Sequence, residues 1–311
     1  MASKTLLIAV ALGLLTALLN LAPLRVPALG FMLAPFTVLP IFVSVLGLGS
    51  IAGGVSAVVG TLAMALTAGL LPAVVFFFIL LAPPLYAGHL AGLSRSTDDG
   101  VEWYPLEDVL FALTIASALV VVATALLSGL TQADLSKMMA ELMGQMRSQG
   151  TGAGAPNPAD VERATSQIVA ALPVAMPASI LVMLVMNLYL GSRIARNLGW
   201  MARPVDHIPT ATALPLLAAI IFGTTVVASL FGGQIGTVGQ IFMGAFGMAF
   251  AFVGLATIHT ITMGKAGRGV ILGLVYALLF VFAPSIIGVV ILGLADSLLG
   301  LRARAIANRG P

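Results

Sequence analysis

The sequence predicts an all-α protein: a polytopic transmembrane helical bundle of about eight or nine spans with one interfacial amphipathic helix. Of its 311 residues, 60% are hydrophobic and only 8% are charged, and the mean hydropathy is +1.12. A soluble domain normally carries about 25% charged residues. Apolar segments near the roughly 20 residues that a helix needs to cross a bilayer also recur along the chain. Most of the surface is therefore expected to contact lipid or other helices.

The apolar segments predict the order of the spans. They lie at 5–22, 31–47, 50–70, 73–93, 107–130, 167–191, 212–231, 238–262 and 268–299. The second and third segments are short and rich in glycine, so they form either two crossings or a tight hairpin. The last contains Pro284 and is either a kinked span or a broken pair. The chain divides into N-terminal helices (1–130), an external segment (131–163) and C-terminal helices (164–311).

Positive charges favour a cytoplasmic N-terminus, because loops on the cytoplasmic side carry the excess of Lys and Arg. In that orientation the inner residues are Lys4, Arg95, Arg193, Arg196, Arg203, Lys265 and Arg268, and the outer ones are Arg25, Lys137, Arg147 and Arg163. The basic tail would join the inner set only if the C-terminus is also inside, whereas nine simple passes place it outside. We therefore expect that either 31–70 or the Pro284 region makes fewer passes than its hydropathy suggests.

The segment from Thr131 to Gln149 is too polar to cross the bilayer, and its apolar residues have helical spacing. These residues are Leu135, Met138, Met139, Leu142, Met143 and Met146. Such a helix lies on the bilayer surface, or it covers a cavity from outside, a role for which the adaptable Met side chain is suited. A Gly- and Pro-containing stretch follows, and Asn157-Pro158 with Asp160 begins the next helix.

Motifs of soluble enzymes are absent from the sequence. It contains no G-x-x-x-x-G-K-[ST] phosphate loop, no H-E-x-x-H and no G-x-S-x-G. The three His residues are widely separated and Cys is absent, so the sequence shows no metal site. We therefore expect no catalytic residue, cofactor or nucleic-acid partner. Energised work would depend on a partner protein or an ion gradient.

Small residues at four-residue spacing predict close helix contacts. Ala9, Gly13 and Ala17 form one such row in the first span, which serves either internal packing or docking of a partner helix. In the second and third spans, packing within the bundle is the favoured role of Gly49, Gly53, Gly54 and Gly60.

Polar groups at membrane depth are costly and are candidates for function by default. The residues of this kind are Asn20, His89, Asn187, Gln234, Gln240, His259 and Asp296. We rank His259 first as a cavity or substrate residue; the alternative is an imidazole that is hydrogen-bonded to a carbonyl near the interface.

The other candidates for a cavity or substrate residue are Asp296, His89 and Asn187. Each of them also has a structural alternative. Asp296 is either an ion-coupling group or the partner of a nearby Arg at a helix end. His89 is close enough to a loop to be interfacial. Asn187 is either a cavity residue or a group that only satisfies backbone freed by proline kinks.

Several short motifs in the C-terminal half resemble the YybS-like family of predicted bacterial membrane proteins. They are Asn187 followed by Arg193 and Arg196-Asn-Leu-Gly199, Pro215, Gly254-Leu-Ala256 with His259, and Gly293-Leu-Ala-Asp296 with Leu301-Arg302-Ala-Arg304. The resemblance implies a multi-pass protein of the bacterial inner membrane without an assigned activity. The N-terminal half is similar to the substrate-binding S-components of energy-coupling-factor (ECF) vitamin transporters. In those proteins a small-residue row in the first helix docks on the shared coupling subunit, and Ala9, Gly13 and Ala17 match it.

Three functional hypotheses follow. The first is an S-component-like transport protein that binds a small solute and depends on a coupling subunit with its ATPase. The second is a membrane scaffold or assembly factor without transport activity. The third, an intramembrane enzyme acting on lipid, requires His259 and Asp296 to converge with another polar group. A polar-lined cavity near His259 and Asn187 would favour the first hypothesis.

Overall fold

The computed structural model describes residues 2–26, 30, 32–98, 100–129, 134, 136–141, 144 and 157–307. The described helices are α1 (Ser3–Arg25), α2 (Leu39–Leu48), α3 (Ser50–Ala68), α4 (Leu70–Phe76), α5 (Ala82–Ala91), α6 (Leu106–Ser128), α7 (Pro158–Asn197), α8 (Ile208–Ala211), α9 (Leu216–Ala228), α10 (Gly233–Ile261), α11 (Arg268–Val281), α12 (Ile286–Leu299) and α13 (Leu301–Ala307). A π-helical segment, Phe77–Leu81, joins α4 to α5, and short 3₁₀ turns span Ala34–Phe36 and Ala283–Ser285.

A two-stranded antiparallel hairpin is the one addition to the helices in the described part of the chain. Its strands are β1 (Ser94–Thr97) and β2 (Gly100–Trp103). Arg95 lies opposite Glu102, and their side chains form an exposed ion pair. The hairpin connects the end of α5 to the start of α6.

Six helices among the described residues are long and apolar enough to cross a membrane, and a seventh span results if the bent pair at the C-terminus is one crossing. The predicted eight or nine spans are not confirmed. Proline and glycine explain the shorter helices. Pro215 precedes α9 and Gly232 follows it, which leaves a helix of only 13 residues. The segment 268–299 is interrupted by the turn at Ala283–Ser285, which contains Pro284.

Two pairs of long helices run parallel. Ser56 Oγ donates to the Ala9 carbonyl (2.7 Å), and four residues further along both helices Gly60 lies against the Gly13 carbonyl, so α1 and α3 share a direction. Because α1 and α3 are parallel, α2 and the segment before it return the chain between them.

The second parallel pair is α7 and α10. Gly244 lies against Val174 in the first half of both helices, and His259 and Arg193 line one cavity near their ends. Between them, α9 returns the chain. The core lies among α2, α6, α7 and α10, and its largest fully buried side chains include Phe42, Phe246 and Phe250.

The predicted external segment falls mostly outside the described residues, so its Met-rich face is not placed. The predicted start of the next helix is confirmed: Asn157 Oδ1 accepts a bond from the Ala159 amide (3.1 Å), and α7 begins at Pro158. From this cap the helix continues through Pro173 and Pro177.

Candidate functional site

A cavity of about 600 Å³ lies at one end of the bundle. Its walls are the C-terminal ends of α7 and α10, the N-terminal end of α6, α8 with the loop before it, and Tyr276 of α11. We call this the cavity end. The polar residues in the walls are Tyr189, Ser192, Arg193, Arg196, Arg203, Asp206, Thr212, His259 and Tyr276. The remaining walls are mostly apolar. This size and mixed lining are typical of sites for small-molecule ligands, which occupy roughly 300–1,000 Å³.

Arg203 anchors one wall of the cavity. Its guanidinium forms a bidentate pair with Asp206 (2.9 and 3.1 Å), and Nη1 donates to the carbonyls of Ala91 (3.1 Å) and Tyr104 (2.9 Å). These bonds join the loop after α7 to the end of α5 and the start of α6. The side chain is only 5% exposed. Because its charge is matched by Asp206 and most of its N–H groups are used, Arg203 is a structural part of the wall.

Arg193 and Arg196 are less committed. Arg196 donates through Nη1 to the Arg203 carbonyl (2.7 Å), and its Nη2 lies 3.8 Å from the Met201 sulfur, a weak contact. Arg193 is exposed and makes no hydrogen bond or ion pair with the described residues. Neither side chain has an acidic partner in the described part of the chain. The site therefore has excess positive charge on one face of α7.

His259 lies in the cavity wall, where its Nε2 is 2.9 Å from the Tyr276 hydroxyl. Either group can be the donor, depending on the imidazole tautomer. The contact joins α10 to α11, and no residue of α11 is buried. His259 is therefore placed both to meet a ligand and to hold α11 beside the cavity.

Asp296 is occupied by a buried ion pair with Arg302 (2.7 Å) and accepts a second bond from the Arg302 amide (2.8 Å). Arg302 also donates to the carbonyls of Pro209 (2.8 Å) and Thr212 (2.7 Å), two residues of the cavity wall. The pair thus fastens α12 and α13 to the cavity rim. Neither Asp296 nor Arg302 lines the cavity. The side chain of Asp296 contacts Arg302, whereas that of His259 contacts Tyr276.

Asn187 and His89 do not line the cavity. Asn187 is fully buried and its amide donates to the carbonyls of Pro35 and Met183 (both 2.7 Å), so it joins α7 to the chain before α2. The Oδ1 atom of Asn187 has no partner among the described residues. His89 is exposed, and its Nδ1 lies 2.7 Å from Ser50 Oγ. This contact joins the C-terminal end of α5 to the start of α3. Both residues hold helices together.

The small residues of α1 lie inside the bundle. Ala9, Gly13 and Ala17 are buried, and a Cβ atom at Gly13 would meet the Ser56 carbonyl of α3. In the folded chain this face is occupied by α3 and is not a free surface. The exposed face of α1 carries large apolar side chains instead, including Leu7 and Leu14.

The four glycines that were predicted to pack in the second and third spans differ from one another. Gly53 lies against Val45, and Gly60 lies against the Gly13 carbonyl. Gly49 has a φ of +90° at the turn between α2 and α3, where its conformation rather than its size matters. A Cβ atom at Gly54 would meet nothing within 4 Å. Only Gly53 and Gly60 therefore make close helix contacts.

Within the described residues, no group of three or more His, Cys, Asp or Glu side chains is arranged to hold a metal ion. Hydrogen bonding, charge and apolar contact are the interactions that these walls offer a ligand.

The sequence indicates Arg193, Arg196 and Arg203 as topology signals, and Arg193 and Arg196 also belong to a motif of the family resemblance. It assigns none of the three to a site, and it does not single out Tyr189 or Tyr276. A signal for part of the site was present. Tyr189, Ser192, Arg193 and Arg196 are separated by three, four and seven residues, which places them on one helix face. The contribution of Tyr276 depends on the position of α11, which local spacing does not define.

Comparison with known proteins identifies a family but no characterised relative. Neither curated proteins nor solved structures include a significant match to the chain. The profile of one family, described as "Predicted membrane protein (DUF2232)", matches residues 14–297, which is most of the chain. This match agrees with the six apolar helices that are long enough to cross a membrane. The chain belongs to the DUF2232 family of predicted membrane proteins.

Proposed function

We propose that this chain is a solute-binding component of a transport system in the bacterial plasma membrane. The observation that carries the proposal is the cavity of about 600 Å³, whose apolar walls end in a cluster of polar and cationic side chains. A scaffold or assembly factor has no need for a cavity of this size. A solute-binding protein requires one.

Charge distribution supports an opening toward the cytoplasm. Arg95 in the hairpin and Arg193, Arg196 and Arg203 around the cavity all lie at the same end of the bundle. An excess of Lys and Arg marks the cytoplasmic ends of membrane helices. The start of α1 is expected on the same side, since α1 is parallel to α3 and Ser50 at the start of α3 contacts His89 near the hairpin.

Transport against a gradient needs a source of energy, and the sequence contains no phosphate-binding loop. We infer that the energy comes either from a partner complex with its own ATPase or from an ion gradient. A docking surface for a partner would have to differ from the Ala9, Gly13 and Ala17 row, since α3 already covers it.

The proposal is tested by filling the cavity. Ala256 is 7% exposed and lies in the cavity wall, so Ala256→Phe places a ring in the ligand space. The control is Leu119→Phe on α6, because Leu119 is exposed on the outside of the bundle and does not line the cavity. Each protein is purified from its native membranes into nanodiscs. Mass spectrometry then identifies the retained small molecules and co-purifying proteins.

We expect a small molecule that is retained by the wild-type protein and Leu119→Phe, and is reduced at least tenfold in Ala256→Phe. Absence of any retained molecule, together with absence of an ATPase or coupling-subunit partner, would overturn the proposal. Equal retention by both variants would show that the molecule binds outside the cavity, and would also overturn it.

A further inference from the structure

The cavity wall formed by α7 changes in polarity along its length. Val185 and Leu188 line it deepest in the bundle, Tyr189 and Ser192 follow, and Arg193 and Arg196 lie at its outer end. At 1.5 Å per residue, this face is about 16 Å long from Val185 to Arg196. A ligand that fills it would meet apolar groups at one end and guanidinium groups at the other.

The walls formed by α6 and α10 extend the apolar part of the same gradient. On α6 the lining residues are Leu106, Leu110 and Leu113, and all three are apolar. On α10 the wall passes from Phe252 and Leu255 to His259 near the cavity end. Three helices, α6, α7 and α10, therefore form the apolar walls of the cavity. The positive charge that has no acidic partner among the described residues is concentrated on α7.

The charge at the outer end is not balanced within the described residues. Three arginines and one aspartate line the cavity, and Arg203 is already paired with Asp206. Arg193 and Arg196 are spaced i,i+3 on one helix face, an arrangement in which like charges repel. A bound anion would relieve this repulsion and accept hydrogen bonds from both guanidinium groups.

We propose that the ligand of this cavity is an amphipathic anion, which is a carboxylate or phosphate group joined to an apolar body up to about 16 Å long. This inference rests on the proposed function of the cavity and specifies its substrate class. Arg193 and Arg196 bind the anionic group, and the apolar body lies against Leu110, Leu188 and Phe252. A cation would be repelled by the two arginines, and a wholly polar solute would leave the leucine-rich walls without favourable contacts.

The first experiment compares three probes that share an eight-carbon chain: octyl phosphate, octanol and octylammonium. Each is titrated, below its micelle concentration, against the full chain in phosphatidylcholine nanodiscs, with empty nanodiscs subtracted. We expect saturable binding of octyl phosphate, at least tenfold weaker binding of octanol and none of octylammonium. Inorganic phosphate should compete only weakly, because it lacks the apolar body.

A second arm distinguishes the source of the anion. Phosphatidic acid is added to the nanodiscs before octyl phosphate is titrated. Competition by phosphatidic acid would support the proposal with a membrane lipid as ligand. Unchanged octyl phosphate affinity would support it with a water-borne amphiphile.

Variants test the role of the two arginines. We expect Arg193→Gln combined with Arg196→Gln to weaken octyl phosphate binding at least tenfold while leaving octanol binding unchanged. Arg304→Gln is the matched control, because Arg304 is an exposed arginine on α13 that does not line the cavity. Its octyl phosphate affinity should equal that of the wild type. A thermal unfolding curve verifies that each variant is folded.

Two results would overturn the anion assignment. One is equal affinity for octyl phosphate and octanol. The other is octyl phosphate binding that is unaffected when both arginines are replaced. If octanol binding is nevertheless lost in Ala256→Phe, the cavity still binds ligands and only its substrate class is wrong. If no probe binds and no native molecule is retained, the proposed function fails as well.

Discussion

The two parallel helix pairs, α1 with α3 and α7 with α10, make very different contacts. Along α1 and α3, small residues allow the backbones to approach closely at both Ala9 and Gly13. The second pair is in close contact in the first half of both helices, where Gly244 lies against Val174. Toward the other end, Leu188 of α7 and Phe252 and Leu255 of α10 line the cavity. One pair is closed along its contact, and the other opens into a cavity.

The distance between two helix axes depends on the side chains at the contact. Ala9 and Gly13 permit a close approach of α1 and α3, whereas large side chains of α7 and α10 line the cavity. An open end must be supported by other interactions. Here the loops around the cavity are held by two ion pairs, Arg203 with Asp206 and Arg302 with Asp296, which also bind backbone carbonyls. Packing of small residues stabilises the contact between α1 and α3, whereas ion pairs stabilise the loops around the cavity.

Removing the Asp296 carboxylate should produce the largest effect. The side chains of Asp296 and Arg302 are 4% and 11% exposed, so Asp296→Ala leaves a buried guanidinium without its counter-ion. Breaking such a pair costs about 3–5 kcal/mol. We expect the free energy of unfolding in mixed micelles of a denaturing detergent to fall by this amount.

The matched control is Glu102→Ala, which breaks an Arg–carboxylate pair of similar length on the exposed hairpin, where the side chains of Arg95 and Glu102 are 75% and 55% exposed. An exposed pair contributes at most about 1 kcal/mol. If the two substitutions have equal effects, the ion pair of Asp296 does not support the cavity end.

The contact between α1 and α3 should be sensitive to added side-chain volume. Gly13→Leu introduces a side chain where even a Cβ atom would meet the Ser56 carbonyl. Overpacking of this kind costs about 1–3 kcal/mol. Thermal unfolding, monitored by size-exclusion chromatography, should show a lower midpoint temperature for this variant than for the wild type. Gly54→Leu is the control, since a Cβ atom there meets nothing within 4 Å. A similar loss in both variants would mean that the close approach of α1 and α3 is unimportant.

The sequence was sufficient to predict the closed pair's small-residue rows but not their partner. Four-residue spacing identified Ala9, Gly13 and Ala17, and composition identified a membrane bundle. Whether another protein or α3 covers the row depends on the direction of α3. That direction follows from the path of α2, which a hydropathy profile does not contain.

The open end was harder to predict, because its residues come from elements that are distant in sequence. His259 was recognised as a costly polar group at membrane depth. Asp296 was recognised for the same reason, and of its two alternatives the structure shows the ion pair with a nearby Arg, which is Arg302. Arg193 and Arg196 were assigned to topology and to a family motif but not to a site, since a basic residue at the end of a span is expected on topological grounds alone. Their second role emerges only when the wall of the cavity is assembled.

The smallest expected effect concerns the contact between α10 and α11 at the open end. Tyr276→Phe removes the hydroxyl that lies 2.9 Å from His259 Nε2. Hydrogen bonds between membrane helices contribute about 0.6 kcal/mol on average. We therefore expect a loss of that size, which an unfolding titration with replicate measurements can resolve.

Tyr189→Phe is the control for this last substitution, because Tyr189 also lines the cavity and its hydroxyl makes no hydrogen bond with the described residues. Its free energy of unfolding should equal that of the wild type. Since α11 has no buried residue, the loss of one hydrogen bond should also free the helix locally. Faster amide hydrogen exchange in α11 of Tyr276→Phe than in α11 of the wild type, with exchange in α10 unchanged, would show this. Unchanged exchange in α11 would mean that apolar contacts alone hold it beside the cavity.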